Sequence, residues 1–337
     1  MDFFGLDIGS HNVKLVKLVR KQNKYFLSAF GVVPSTSKGL LSEAESDLIA
    51  LAEAIKKLFQ ETKIKTKNVA AALPQDQIFV RVVTFPPLSE GELESALRWE
   101  AEQYVPLPLE EVVLTHEVVG KTKEDGKEKI EVLLAAAPKN LIEKTIKVLK
   151  LADLNPVSLE MEITPMARSL VSPDLKSVLL IDLGAKATDL AIVENAQVVF
   201  VHSIPTGGEA LTRAVEMELN LEPTQAEAYK KAYGVKAEEL EGKISSAINP
   251  ILEVIIGEIE KTIRFYQAKG KILKVVILAG GTANLPEVAN VLAKKLNLEV
   301  QVGNPFGQVV VDSLLNKIPP SDLSLYAVAV GLAMKEI

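Results

Sequence analysis

At 337 residues, 48% of them apolar and 24% charged, with no long Gly, Ser or Pro run, the chain has sequence enough for two cored lobes and no linkers or tails. Cysteine is absent, which excludes disulfides, thiolate catalysis and cysteine-based zinc sites, and three histidines (His11, His116, His202) make a histidine metal site a poor expectation. A formal net charge of -6, with Lys and Arg scattered among acids, argues against a nucleic-acid partner.

The N-terminus, Met1-Asp2-Phe3-Phe4, has neither the basic stretch nor the long apolar core of a secretion signal, so the protein is expected to stay in the cytoplasm. A strand is predicted over residues 3–8, ending in Asp7-Ile8-Gly9-Ser10, and alternating residues then lead through a polar turn at 21–24 into a hairpin strand over 26–33. Leu48, Leu51, Ala52, Ile55, Leu58 and Phe59, spaced by three and four, predict a helix over 43–62, with a strand over 68–73 behind it. Residues 75–155 then read as strand, helix, strand, strand, helix and a short strand near Val157, an inserted βαββαβ unit with a hairpin turn at Asp125-Gly126. On its first helix, over 89–104, Leu93, Leu97, Ala101 and Tyr104 share a face, and the only tryptophan, Trp99, lies about 120° away. Trp99 is expected either to pack on the neighbouring lobe or to line a partner groove. Glu100 falls in the apolar stripe and is expected to have a basic or backbone partner.

The opening grammar then returns. Val178 to Gly184 carries Asp182-Leu183-Gly184, and hairpin strands follow over 188–193 and 197–204; both units close on proline, Pro34 and Pro205. Two Asp-x-Gly hairpins half a chain apart predict two similar α/β lobes facing each other across a cleft. Helices over 209–219, 224–233 and 244–268 add a mostly helical subdomain, and the most apolar window, residues 251–259, carries carboxylates and falls far short of a membrane span. The chain finishes with a strand (274–278), Gly280-Gly281, a helix (286–296), a strand (299–302) and an apolar helix (323–334). The expected division is a first lobe of 1–74 returning at 156–172 and 315–337, an insert of 75–155, a second-lobe core of 173–206 and 273–314, and a helical capping unit of 207–272.

An Asp at the end of a buried strand, followed by Gly and Ser, presents a carboxylate and free backbone N–H groups at one spot, which suits a Mg-bound phosphate. In the first unit Gly9 lets backbone approach, Ser10 can donate a hydrogen bond, and Lys14 on the next strand adds positive charge. One such turn is as often purely structural; two can grip opposite sides of one polyphosphate. Asp7 and Asp182 facing each other would repel unless a cation lay between them, which points to Mg²⁺ held largely through water. Asp189 is a further outer ligand or an ordinary hydrogen-bonded strand residue. Gly280-Gly281-Thr282 offers flat backbone on which a purine can lie, whereas Glu227 and Lys230, one helical turn apart, read by themselves as a surface ion pair.

In this order, Asp-x-Gly-Ser, a connector helix, Asp-x-Gly-x4-Asp, Ala-Glu-x-x-Lys-x-x-x-Gly and Leu-Ala-Gly-Gly-Thr, the chain resembles the actin, hexokinase and FtsA superfamily over essentially its whole length. The resemblance implies an actin-like (ribonuclease H-like) two-lobed ATPase fold. It implies ATP held by Gly9, Ser10, Asn12 and Lys14 on one side and by Gly184, Lys186, Gly207 and Gly208 on the other. Glu227 and Lys230 would meet ribose and adenine, with Gly280, Gly281 and Thr282 beneath. It also implies a water-orienting acid on the connection between lobes, for which Glu162 is the match and Glu160 the fallback, with slow or no turnover as open as ATPase activity.

The place of the insert and the stretch from Leu97 to Val112 are similar to the PilM family of type IV pilus adaptors. That likeness implies docking of the N-terminal cytoplasmic segment of the inner-membrane protein PilN, with Trp99, Glu100 and Tyr104 as contacts and attachment to the inner membrane through that partner; it leaves self-association open. An FtsA-like filament protein would be expected to carry a basic amphipathic tail, whereas this chain ends in the apolar run from Tyr326. A sugar or acetate kinase would need an acceptor pocket and a general base, for which the sequence offers no candidate.

Overall fold

The computed structural model of the protein describes residues 1–124 and 126–336. Asp125, half of the expected hairpin turn, lies outside the described residues. The chain runs β1 (Phe4–Ile8), β2 (Asn12–Lys21), β3 (Lys24–Pro34), α1 (Glu45–Thr62), β4 (Asn68–Leu73), β5 (Phe79–Phe85), α2 (Glu90–Tyr104), β6 (Val112–Glu124), β7 (Lys127–Pro138), α3 (Lys139–Leu151) and β8 (Asn155–Met161). It continues through α4 (Ile163–Leu170), β9 (Ser177–Leu183), β10 (Thr188–Glu194), β11 (Gln197–Ile204), α5 (Gly208–Leu219), α6 (Pro223–Tyr233), α7 (Lys243–Ala268), β12 (Val275–Ala279), α8 (Val288–Leu296), β13 (Glu299–Val302), β14 (Val309–Val310) and α9 (Ala327–Ala333).

The repeat read from the sequence is a repeat of sheets. In the first lobe the strands lie in the order β14-β3-β2-β1-β4-β8, and in the second β11-β10-β9-β12-β13. In both, an antiparallel three-strand meander is followed by two strands parallel to its first. The innermost strands are apolar on both faces, as strands covered on both sides must be: β1 is buried throughout, and Val178 to Ile181 are completely inaccessible.

The insert is smaller than its sequence pattern suggests. Its sheet holds three strands, β5-β7-β6, and α2 closes over it with Leu93, Leu97 and Ala101 against Phe85, Val132 and Leu134. The last helix of the expected βαββαβ unit turns instead to the first lobe, beside the strand near Val157 that the expected division already returned there from residue 156. Helix α3 buries Leu141, Val148 and Leu149 beside Leu51 and Ile55 of α1, and β8 pairs in parallel with β4. Helices α5, α6 and α7 likewise share one apolar core with β9, β10 and β12.

Helices α4 and α9 join the lobes. Ile163, Met166 and Ala167 of α4 and Val328 and Leu332 of α9 form one cluster with Ala70 and Ala72 of β4 and with Val178 and Leu180 of β9. The two helices cross so closely that a Cβ on Gly331 would collide with the Pro165 carbonyl. Among the described residues no helix is long and apolar enough to cross a membrane.

Candidate functional site

The facing ends of the two meanders enclose a cleft of about 1160 Å³. From the first lobe Asp7, Gly9, Ser10, Asn12 and Lys14 line it; from the second come Asp182, Gly184, Lys186, Asp189 and Gly208. Glu227, Lys230, Gly280, Gly281 and Thr282 close one end, and Glu162 lies at the junction of the lobes. Of the residues assigned to this site from sequence, Gly207 and the fallback acid Glu160 are not on the wall; Glu160 pairs instead with Arg168 and Lys335. Gly207 lies close behind the wall. It caps α5 behind the Gly184 turn, where a Cβ would meet the Gly184 and Ala185 carbonyl oxygens at 2.7 Å.

The two hairpins place their acids identically and then diverge by one residue. Asp7 is opposite Lys14 across β1 and β2, and Asp182 is opposite Asp189 across β9 and β10. Directly paired positions on a sheet point to the same face, so the first turn holds an ion pair and the second a pair of like charges. Lys14 Nζ donates to Asp7 Oδ2 at 2.6 Å, and Asp7 Oδ1 is buried with no hydrogen-bond partner among the described residues. Asp189 accepts a short hydrogen bond from the Ser203 hydroxyl.

The electrostatics follow from that arrangement. Burial alone would pull the Lys14 ammonium down, but Asp7, with Asp182 and Glu162 beyond it, more than reverses this and raises its pKa. Burial, only partly countered by Lys14, pushes Asp182 up to about 6. Burial likewise outweighs the Ser203 hydrogen bond and pushes Asp189 up to about 7. Glu162 is driven well above the usual carboxylate range by burial and then by Asp7 and Asp189, against a backbone hydrogen bond from Gln75 N to its Oε2 at 2.9 Å. Asp7, Asp182 and Glu162 thus act on Lys14, with Asp189 acting on Asp182 and Glu162 behind them, so acids outnumber bases at this end of the cleft. Among the described residues no three His, Asp or Glu side chains are set to ligate one metal directly.

At the other end, Gly280 adopts φ +82°, open to glycine, and a side chain there would strike the Asp182 carboxylate. Glu227 and Lys230 are not the surface pair that their spacing suggests. Lys230 is 4% exposed, with Nζ 2.6 Å from Glu227 Oε2 and hydrogen-bonded to Thr212 Oγ1 and Gly208 O. Burial pulls the Lys230 pKa down despite Glu227, while hydrogen bonds from Lys230 and Thr212 overcome burial to hold Glu227 low. Lys186 Nζ spans the cleft to Ser37 O at 3.3 Å.

The cleft also holds residues that pattern reading passed over, among them Asp76, Thr212, Arg213 and Asn284. Thr212 stands one turn beyond Gly208 on α5, so a helix starting at the glycine pair was the available signal; the others depend on how distant segments pack.

Trp99, Glu100 and Tyr104 are remote from this cleft, on α2. Trp99 is 62% exposed, which rules out the expected packing on a neighbouring lobe. Tyr104 leaves the apolar face and is covered by the Arg81 guanidinium, 3.4 Å from its ring centre. Glu100 is half-buried, and no hydrogen bond or ion pair among the described residues reaches it, contrary to expectation.

Known proteins fit this architecture. The chain superimposes on the solved PilM-PilN type IV pilus biogenesis complex with a TM-score of 0.84 at 29% identity, covering 99% of this chain and 98% of that one. The ethanolamine utilization protein EutJ of Carboxydothermus hydrogenoformans matches at a TM-score of 0.60, 18% identity and coverages of 98% and 88%. MreB5 of Spiroplasma citri, solved bound to AMPPNP, matches at 0.54, 15% identity and coverages of 98% and 94%, so both share the actin-like fold. In sequence, the cell division protein FtsA of Streptococcus pneumoniae is 24% identical over 90% of this chain and 75% of its own. Residues 5–337 match the type IV pilus assembly protein PilM family, and the chain belongs to it.

Proposed function

We propose that this chain is an ATP-binding adaptor of the type IV pilus assembly platform that docks the N-terminal cytoplasmic segment of a PilN-type inner-membrane protein. The nucleotide half rests on one observation, the cleft into which both lobes present an Asp-x-Gly turn with Lys14 between them. The actin-like fold shared with MreB5 bound to AMPPNP favours the same ligand. Asp7, Asp182 and Asp189 fit Mg²⁺ held mostly through its water, since Asp7 Oδ1 lacks a partner and both other acids gain from a nearby cation. When bound, Mg²⁺ would neutralise the phosphates between the two turns.

The protein's own groups would then bind and orient: backbone amides after Gly9 and Gly184 toward phosphate oxygens, Lys14 as fixed charge, and Gly280-Gly281 beneath the base. Glu162, whose pKa is raised well above the usual carboxylate range by burial and then by Asp7 and Asp189, stands at the junction of the lobes where it can orient a water. The docking half rests on the likeness to the PilM-PilN complex and on Trp99 and Tyr104 exposed on either side of Glu100 on α2, aromatic anchors of the kind peptide grooves use. Binding of that partner would bring the chain to the inner face of the inner membrane.

Two measurements test this reading. Calorimetry should show Mg-ATP binding, and absence of heat and of competition would sink the nucleotide half. Titration with a PilN-type N-terminal peptide should shift the Trp99 emission to the blue and should match a pull-down; no change in either would sink the docking half.

A further inference from the structure

Lysines far apart in the sequence collect at one end of the first lobe. Strand β1 starts at Phe4 and runs to the Asp7 turn in the cleft, and both β4 and β8 run parallel to it. The starts of β4 and β8 therefore lie at the end of the sheet remote from the cleft. Helices α1 and α3 lead into those two strands and finish there. Lys67, just before β4, pairs with Asp153, just before β8, at 2.6 Å, and Leu58 and Ile64 share a core with Leu149 and Leu154.

Residues 56–67 hold five lysines and one acid, in a chain whose net charge is -6, and the last turn of α3 adds Lys150. All six lysines are exposed, and among the described residues Lys67 alone of them makes an ion pair. Lysines elsewhere are used within the molecule. Lys144 pairs with Glu43 and Lys147 with Glu45, both at 2.7 Å. In the second lobe the corresponding connection, between α7 and β12, pairs Lys271 with Glu194 at 2.7 Å and lays Lys269 over the Phe265 ring. Lysine is favoured at a helix C-terminus by the helix dipole. That accounts for Lys150 and the capping Lys63, but not for Lys56, Lys57 or Lys65.

We propose that this end of the first lobe rests on an anionic lipid surface, an attachment additional to the peptide partner and independent of nucleotide. Lysine is a hydrated point charge on a flexible stem, without the planar fork that reads one shaped anion, and so suits a diffuse layer of headgroups. Because the rest of the chain is more acidic than the whole, a negative surface attracts this end and repels the remainder, which fixes the orientation of approach. Exposed Leu151, next to Lys150, adds an apolar side chain to the same end. The cleft, at the far end of the sheet, stays open to solvent.

The test is co-sedimentation of the whole protein with vesicles, with no peptide present. At about 0.1 M salt it should bind phosphatidylcholine vesicles containing roughly one-third phosphatidylglycerol but not pure phosphatidylcholine, and raising the salt to about 0.5 M should release it. A lysine near such a surface contributes about fivefold in partitioning, so Lys65→Gln combined with Lys150→Gln should weaken binding roughly 25-fold. Lys243→Gln combined with Lys295→Gln removes the same charge from exposed, paired lysines of the second lobe and should change binding by less than about twofold. Binding to neither vesicle, salt-resistant binding, or equal losses in the two variants would overturn the proposal. So would tighter capture by polyglutamate or a DNA duplex that the Lys65 and Lys150 changes abolish, since this end would then serve an acidic polymer and not a bilayer.

Discussion

Asp7 and Asp182 hold equivalent places in two copies of one hairpin, and the residue across the strand decides their fate: Lys14 for one, Asp189 for the other. With folded values near 6 and 7 against 3.8 in the unfolded chain, Asp182 and Asp189 retain protons that unfolding releases. Their stabilising contribution is therefore complete below about pH 4 and lost as the pH rises through 6 to 7. Asp189→Asn, which can still accept from Ser203, should gain on the wild type by on the order of 2 kcal/mol between pH 4 and 8 in denaturant melts. A constant difference across that range would contradict the assignment. Lys14→Ala should behave oppositely, stranding the buried Asp7 carboxylate at a cost of about 3 kcal/mol near neutral pH. Adding Asp7→Asn should recover part of that loss, and neither variant should bind Mg-ATP in calorimetry.

At the scale of elements, the α4 and α9 crossing is a close backbone contact at the core of the cluster that both lobes share. Gly331→Ala should force the helices apart and cost about 3 kcal/mol, read as a lower denaturant midpoint. Elements were also where local pattern was least sufficient. Each strand and helix from β5 to β8 was visible, because periodicity is a property of the segment itself. The division at residue 155 already returned β8 to the first lobe but left α3 in the insert; that α3 packs on α1 was not visible, since a helix's apolar face does not name what covers it. The same holds for Lys230. Its spacing from Glu227 was legible, but its burial depends on α5 packing beside α6.

For the whole molecule, α4 and α9 join the lobes inside a common core while the cleft opens between the two turn-bearing sheet ends, an arrangement suited to hinge closure. Mg-ATP should reduce the radius of gyration in small-angle X-ray scattering, and an unchanged value at saturation would argue for a rigid cleft. Lys186, which already spans the cleft to Ser37, is the contact that such closure would rearrange first.

By itself the sequence determined the repeated Asp-x-Gly hairpins, their glycine turns, the two-lobed plan and the resemblance to the pilus adaptor family. Those features are written in runs of about fifteen residues, where turn chemistry and strand alternation act locally. Only the tertiary structure decided that Asp182 faces Asp189, that Lys230 is buried, that α3 packs on α1 and that Trp99 stands in solvent. Each of these depends on strand pairing, burial or a neighbour brought in from elsewhere in the chain, and burial sets the cost of a charge.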